Sequence, residues 1–305
     1  MLHGHAAAAP AAGVPIPATG VFLSKIMVAT EFSPASDRAL EYAISIARRF
    51  GSKIYLSHVI TLDGYPMIAP EIAGETIDAR QREAEDNFAK IVESGRLHGL
   101  EHHTNIVEGA LWPALESLVD NYKIDLLVLG TSGVGGVRKF VIGSGAEEVF
   151  RQARVPVLTV GPLVTGKPLG KAEFKNILFA TDFGPGVDRE AAYAFAVAQE
   201  HRARITLLNV VPYVEEFSEE AVTSKRDRVV RQLKELVPAT ANLDCKPEFL
   251  MVIGEPVEEI LRRAEKADLI VMGAKPRKGL AGHVPHTKVY RVISAAKCPV
   301  LTIKS

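Results

Sequence analysis

Apolar and polar positions follow two alternating rhythms along this chain. Ile26–Thr30 is a short unbroken apolar run, the mark of a strand buried on both faces. Ala35 to Phe50 then places Ala39, Leu40, Ala43, Ile46 and Ala47 at helical spacing, and Gly51 ends the run. The rhythm returns to a strand at Lys53–Ile60 and to a charged amphipathic helix at Ile77 to Leu97. His103–Glu108, a helix over Pro113–Tyr122, Asp125–Gly130, a helix over Ser144 to Arg154 and Val155–Val160 complete the set. Strands that alternate with helices predict a parallel α/β sheet, and right-handed crossovers make it doubly wound.

The whole pattern is written twice. Ser24-Lys-Ile-Met-Val-Ala-Thr-Glu-Phe32 matches Lys175-Asn-Ile-Leu-Phe-Ala-Thr-Asp-Phe183 at an offset of 151 residues, which holds without a gap to His58-Val-Ile60 and Asn209-Val-Val211. Asp125–Gly130 matches Asp268–Gly273, and Val155–Val160 matches Cys298–Ile303, both at an offset of 143. Two copies of roughly 135 residues predict two similar domains, not a solenoid of short units. Gly161 to Lys171, with Pro162, Gly166, Pro168 and Gly170, reads as the connection between them.

Composition narrows the class. Lys+Arg and Asp+Glu are both 36, so the net charge is zero, which argues against a general nucleic-acid binder. Cys245 and Cys298 form no CxxC and are too few for a disulfide framework; Cys298 reads as a small buried hydrophobe. The first 21 residues are rich in Ala and Pro, carry no Lys or Arg ahead of their apolar part, and read as a disordered tail rather than a signal peptide. His3 and His5 in that tail form at most a weak metal pair. No apolar run reaches membrane-spanning length, so no membrane is expected and the cytoplasm is the expected location.

The chemistry concentrates after the fourth strand, at Gly130-Thr-Ser-Gly133 followed after nine residues by Gly143-Ser144. A strand, a glycine loop and a helix start form an anion cradle. Glycines let backbone approach a phosphate, and the helix start offers unpaired N–H groups at a positive dipole end. Ser144 has two readings: a phosphate donor, or the cap of an S-x-x-E box ending at Glu147. Arg138 and Lys139 in the loop read as phosphate partners or as solvated cations. Glu31 ends the first strand, where a carboxylate can accept ribose hydroxyls; Asp182 matches it in the second copy. Val59 ends the second strand and offers its backbone to a base. If the first and fourth strands are neighbours, these features meet in one crevice at the strands' C-terminal ends.

Gly130-x2-Gly133-x9-Gly143-Ser144 resembles the ATP-binding motif of the universal stress protein family, G-2x-G-9x-G(S/T). Ile26-Met-Val-Ala-Thr-Glu-Phe-Ser33 and Val155-Pro-Val-Leu-Thr-Val160 are similar to that family's opening and closing strands. The resemblance covers nearly everything after residue 22. It implies two tandem Rossmann-like domains, over residues 22–161 and 174–305 with a linker at 162–173, each a five-stranded parallel doubly wound sheet with flanking helices. It implies pairing of the two domains through Val155–Val160 and Cys298–Ile303, which hides two sheet edges. It also implies an ATP site at Ala29, Thr30, Glu31, Val59, Gly130, Gly133, Gly143 and Ser144, with Mg²⁺ on the nucleotide. Glu31 departs from the aspartate usual in the family's ATP-binding members.

The second copy lacks the glycines. With Gly273 aligned to Gly130, Pro276 replaces Gly133 and His286 replaces Gly143, leaving only the hydroxyl of Thr287. Proline fixes φ and has no N–H, and a histidine side chain intrudes where backbone should meet phosphate. ATP is therefore expected in the first domain only. Lys275, Arg277, Lys278, His283, His286, Lys288 and Arg291 make this second region basic, as a solvated loop or as a site for another anion. The expected role is a nucleotide-dependent regulator of the stress type, with a regulatory protein partner of unknown identity and homodimers as a further assembly. The alternatives are a slow ATP-hydrolysing enzyme and a scaffold with both sites vestigial. No P-loop, HxGH or Ser-Gly-Gly signature and no motif-positioned base argues for an enzyme.

Overall fold

The computed structural model describes residues 21–61, 70–131, 149, 152–165, 173–213, 218–274 and 287–304. The first half contributes β1 (Lys25–Ala29), α1 (Pro34–Phe50), β2 (Lys53–Ile60), α2 (Pro70–Glu93), β3 (His102–Glu108), α3 (Leu111–Tyr122), β4 (Leu126–Gly130) and β5 (Val157–Val160). The second half contributes β6 (Asn176–Ala180), α4 (Val187–His201), β7 (Arg204–Val211), α5 (Glu219–Glu235), β8 (Glu248–Ile253), α6 (Pro256–Arg263), β9 (Leu269–Ala274), α7 (Lys288–Ala295) and β10 (Val300–Lys304).

Among the described residues ten strands form one sheet in the order β3-β2-β1-β4-β5-β10-β9-β6-β7-β8. Every pairing within a half is parallel. Among the described strands the one antiparallel step is β5 against β10, with Leu158 opposite Leu301. The closing strands thus pair as the resemblance implies, and the sheet's outer edges are β3 and β8. Because that step reverses direction, the C-terminal ends of the two sets of strands open at opposite ends of the sheet.

Strand residues alternate between two apolar layers, as a sheet covered on both faces requires. Ile26, Val28, Leu126, Val128, Ile177 and Phe179 face α1, α2, α4 and α5. Met27, Leu127, Leu129, Leu178, Ile270 and Met272 face α3, α6 and α7. The start of each first strand is fixed by one carboxylate. Asp125 Oδ2 accepts the Ser24 and Lys25 N–H groups, both at 2.9 Å. Asp268 Oδ2 accepts those of Lys175 and Asn176 at 2.9 and 3.0 Å. Burial pushes the Asp125 carboxyl above its usual range, against the lowering effect of those two donors.

Helix α1 shows why its boundaries were readable. Ser33 caps it by accepting the Ser36 N–H, Pro34 opens the first turn, and Gly51 closes it at φ 66°. Helix α2 corrects the expected Ile77–Leu97. It begins at Pro70, whose fixed φ suits a first helical turn, and ends at Glu93 before Gly95 at φ 73°. Leu97 is buried beyond the helix end, which is why its apolar character extended the periodicity. Of the expected Ser144–Arg154 helix, the described part is the end, where the Ala153 N–H donates to Val149 O at 2.9 Å. Among the described residues no helix is long and apolar enough to cross a membrane.

Candidate functional site

The condition set by the sequence is met: β1 and β4 are parallel neighbours, with Ala29 opposite Leu129. The ends of both strands therefore open on one crevice. On the face toward α3, Ala29 and Val59 are half-buried and, like Val107 and Leu111, pack against the apolar layer there. Val59 pairs with Val107 of β3. This is an apolar, partly open ledge. On the opposite face lie Thr30 and the first turn of α1.

Thr30 is buried and organises the turn that follows it. Its backbone N–H donates to Ser57 O at 2.9 Å, and its hydroxyl accepts the Phe32 N–H at 3.0 Å and donates to Ser36 Oγ at 3.1 Å. Phe32 stands at φ 61°, a left-handed conformation that costs a bulky residue free energy and persists only where surroundings enforce it. His58 Nδ1 lies 2.8 Å from Thr30 O, and its ring packs 4.7 Å from that of Phe32. The turn carries Glu31, an exposed carboxylate that accepts the Ser33 hydroxyl at 2.7 Å. Gly133, Gly143 and Ser144, with Arg138 and Lys139, lie outside the described residues.

Gly130 has a more specific task than leaving room for a ligand. A Cβ there would collide with the Ala35 carbonyl and lie 2.6 Å from Ser36 N. The glycine lets the first turn of α1 settle directly on the end of β4, backbone against backbone.

The second half keeps the turn and changes the crevice. Thr181 Oγ1 accepts the Phe183 N–H at 3.0 Å, Phe183 stands at φ 54°, and Asn209 donates to Thr181 O at 2.8 Å where His58 meets Thr30. Asp182, the counterpart of Glu31, is exposed like it and accepts the Gly184 N–H at 3.2 Å. Helix α4 starts at Val187, after an N-cap glycine at φ 80° with no side-chain cap. The gap this later start leaves over Gly273 is taken by the side chain of Glu190. A Cβ on Gly273 would collide with Glu190 Oε1 and lie 2.6 Å from its Cδ. Glu190 is only 4% exposed and stands where α1 carries Ala39. Thr287, the surviving hydroxyl, caps α7 by accepting the Tyr290 N–H at 3.2 Å. Pro276 and His286, with Lys275, Arg277, Lys278 and His283, lie outside the described residues. Arg291 is drawn to Glu255 at 3.1 Å.

Sequence reasoning missed His58, Phe32 and Glu190. The repeat held a signal for the last: in the 151-residue register a charged residue stands on the helix face where the other copy carries alanine.

A doubly wound sheet with a crevice between β1 and β4 defines a Rossmann-like α/β protein in tandem form. The model of the universal stress protein family matches residues 23–161 and again 173–304, and the chain belongs to that family. A universal stress protein of Mycolicibacterium smegmatis is 24% identical, over 92% of this chain and 96% of its own length. One of Methanocaldococcus jannaschii is 30% identical over 137 residues, covering 45% of this chain and 81% of the relative. The crystal structure of a universal stress protein from Archaeoglobus fulgidus DSM 4304 superposes with a TM-score of 0.68 at 19% identity, over 92% of this chain and 98% of that one. That likeness bears on the fold of both halves together.

Proposed function

We propose that this protein is an ATP-binding regulator of the stress type that holds one nucleotide, in the first half only. The observation that carries the reading is the contrast at the two β-strand ends. Gly130 abuts only backbone, whereas Gly273 lies under the carboxylate of Glu190. The second half also lacks two glycines of the motif, with Pro276 in place of Gly133 and His286 in place of Gly143, and a proline without an N–H and a bulky side chain do not fit a phosphate cradle. In the first half, Ala29 and Val59 offer an apolar ledge for a base and Glu31 an exposed acceptor for ribose hydroxyls. Gly130, Gly133, Gly143 and Ser144 supply the cradle, and Mg²⁺ accompanies the phosphates. The bound nucleotide biases conformation or assembly toward a regulatory protein partner in the cytoplasm; turnover is no part of the proposal.

Calorimetric titration of the full chain with ATP and Mg²⁺ tests it. The expected result is about one site per chain, abolished by Gly143→Val and unchanged by His286→Ala. Two equivalent sites, or none, would overturn it.

A further inference from the structure

Helix α1 of the first half and helix α4 of the second meet on one face of the sheet. Phe174, just ahead of β6, is held between them. Its ring stacks on Tyr42 of α1, with centroids 6.0 Å apart and planes 5° apart, and packs 4.7 Å from His201 at the end of α4. Phe174 and His201 are each 1% exposed. A salt link runs beside the stack, where Glu173 takes Arg49 of α1 at 2.8 Å and Lys175 at 2.7 Å. This junction ties the helix layer of the first half to the entry strand of the second.

The junction closes only around a neutral imidazole. His201 Nδ1 accepts the Phe174 N–H at 3.4 Å, so the ring proton of the neutral form sits on Nε2, which is buried with no hydrogen-bond partner among the described residues. A second ring proton has Nδ1 as its place, where it would meet the Phe174 N–H donor to donor. The positive charges of Arg49 and Lys175 oppose a charge on the ring, and Glu173, which favours one, is already shared between them. Arg202, next along the chain, turns to Asp244 at 4.0 Å. Burial, followed by smaller effects of Cys298 and Asp268, pushes the Tyr42 hydroxyl up to about 12, so Tyr42 stays neutral. A charged ring regains its solvation by leaving the stack.

The repeat carries no imidazole at the matching place. In the 151-residue register Leu23 stands for Phe174 and Phe50 for His201. We propose that the Tyr42–Phe174–His201 stack is an acid-released latch between the halves: protonation of His201 frees Phe174 and parts α4 from α1, while the pairing of β5 with β10 holds the sheet together. The open form bares the rings of Tyr42 and Phe174 and loosens the entry to β6. The latch is separate from the nucleotide crevice and does not depend on the reading given for it.

The test is hydrogen–deuterium exchange of the full chain, read by mass spectrometry at pH 7 and pH 4.5 and corrected for the intrinsic effect of pH on exchange. Peptides over residues 173–178 and 198–203 should exchange roughly fiftyfold faster at pH 4.5, the coupling expected when a histidine held at about 4 in the closed form returns to 6.5 in the open one. Peptides over β5, β10 and the Leu23 and Phe50 positions should keep their protection. His201→Phe and His201→Gln should each abolish the acid-induced loss, because neither side chain takes up a proton and glutamine can still accept the Phe174 N–H. Should one variant fail to fold, the other decides. A loss that extends equally to β5 and β10 overturns the proposal, because the whole chain then unfolds together. So does an unchanged junction at pH 4.5, or a loss that persists in the variant that folds.

Discussion

The two halves share a backbone plan and differ in what sits on it. Both anchor the first strand with one aspartate, both turn the chain through a left-handed phenylalanine, and both brace that turn from the second strand, with His58 or Asn209. These shared features build the sheet end. At the crevice the halves diverge: a capped helix resting on Gly130 in one, a later helix with Glu190 folded over Gly273 in the other. Duplicated folds can keep one framework and change what rests on it, because the two depend on different residues.

The sharpest way to break this comparison is to add one methyl group to each half. Gly130→Ala forces a Cβ against the rigid backbone of Ala35 and Ser36. The expected loss is about 3 kcal/mol or more, at the upper end of overpacking costs. Gly273→Ala meets only the end of a flexible carboxylate, so the cost should be about 1 kcal/mol, and most of it should vanish in Gly273→Ala/Glu190→Ala. Urea unfolding of the variants measures this. Equal costs in the two halves would contradict the packing described for Gly130.

A second contrast concerns the helix ends. Helix α1 ends in Phe50; at the matching position α4 ends in His201, which is 1% exposed. Its Nδ1 meets the Phe174 N–H at 3.4 Å, its ring packs 4.7 Å from Phe174, and its Nε2 is buried with no hydrogen-bond partner among the described residues. Burial, reinforced by the positive charges of Arg49 and Lys175 and opposed by Glu173, depresses its pKa from 6.5 to about 4. The folded protein therefore favours the neutral ring, and the unfolded chain takes up the proton first. Stability should fall as pH drops below about 6.5, and the loss should level off below about 4. Its size is on the order of 3 kcal/mol. His201→Phe, which copies the first half, should remove that part of the acid sensitivity; thermal melts between pH 7 and 4 report it. An unchanged pH profile would contradict the assignment.

The smallest difference is expected where the halves agree. Asp125→Ala and Asp268→Ala each strand two backbone donors at a strand start. Each should cost about 1–3 kcal/mol, by amounts equal within measurement. A large asymmetry in urea midpoints would show that the two anchors are not equivalent.

Much of the fold was legible because its signals are local. Unbroken apolar runs gave the strands, Ser33-Pro34 and Gly51 bounded α1, and the repeat predicted the pairing of β5 with β10 through the family resemblance. The start of α2 was missed because its first turns carry Gly74 and Thr76 and little apolar periodicity. Of the candidate site, Ala29, Thr30, Glu31, Val59 and Gly130 come together at adjacent strand ends. The reason for Gly130 was not legible, because it depends on where α1 lands after the chain has turned. Glu190 was equally hidden: its place over Gly273 follows from a helix that starts two residues late relative to its counterpart.

The most direct test of the one-site claim is a crystal structure of the full chain grown with ATP and Mg²⁺. The account predicts nucleotide density in the crevice formed by Glu31, Val59 and Gly130 and none beside Gly273, with Glu190 still folded over that glycine. Nucleotide beside Gly273, or an empty first crevice at saturating ATP, would contradict it.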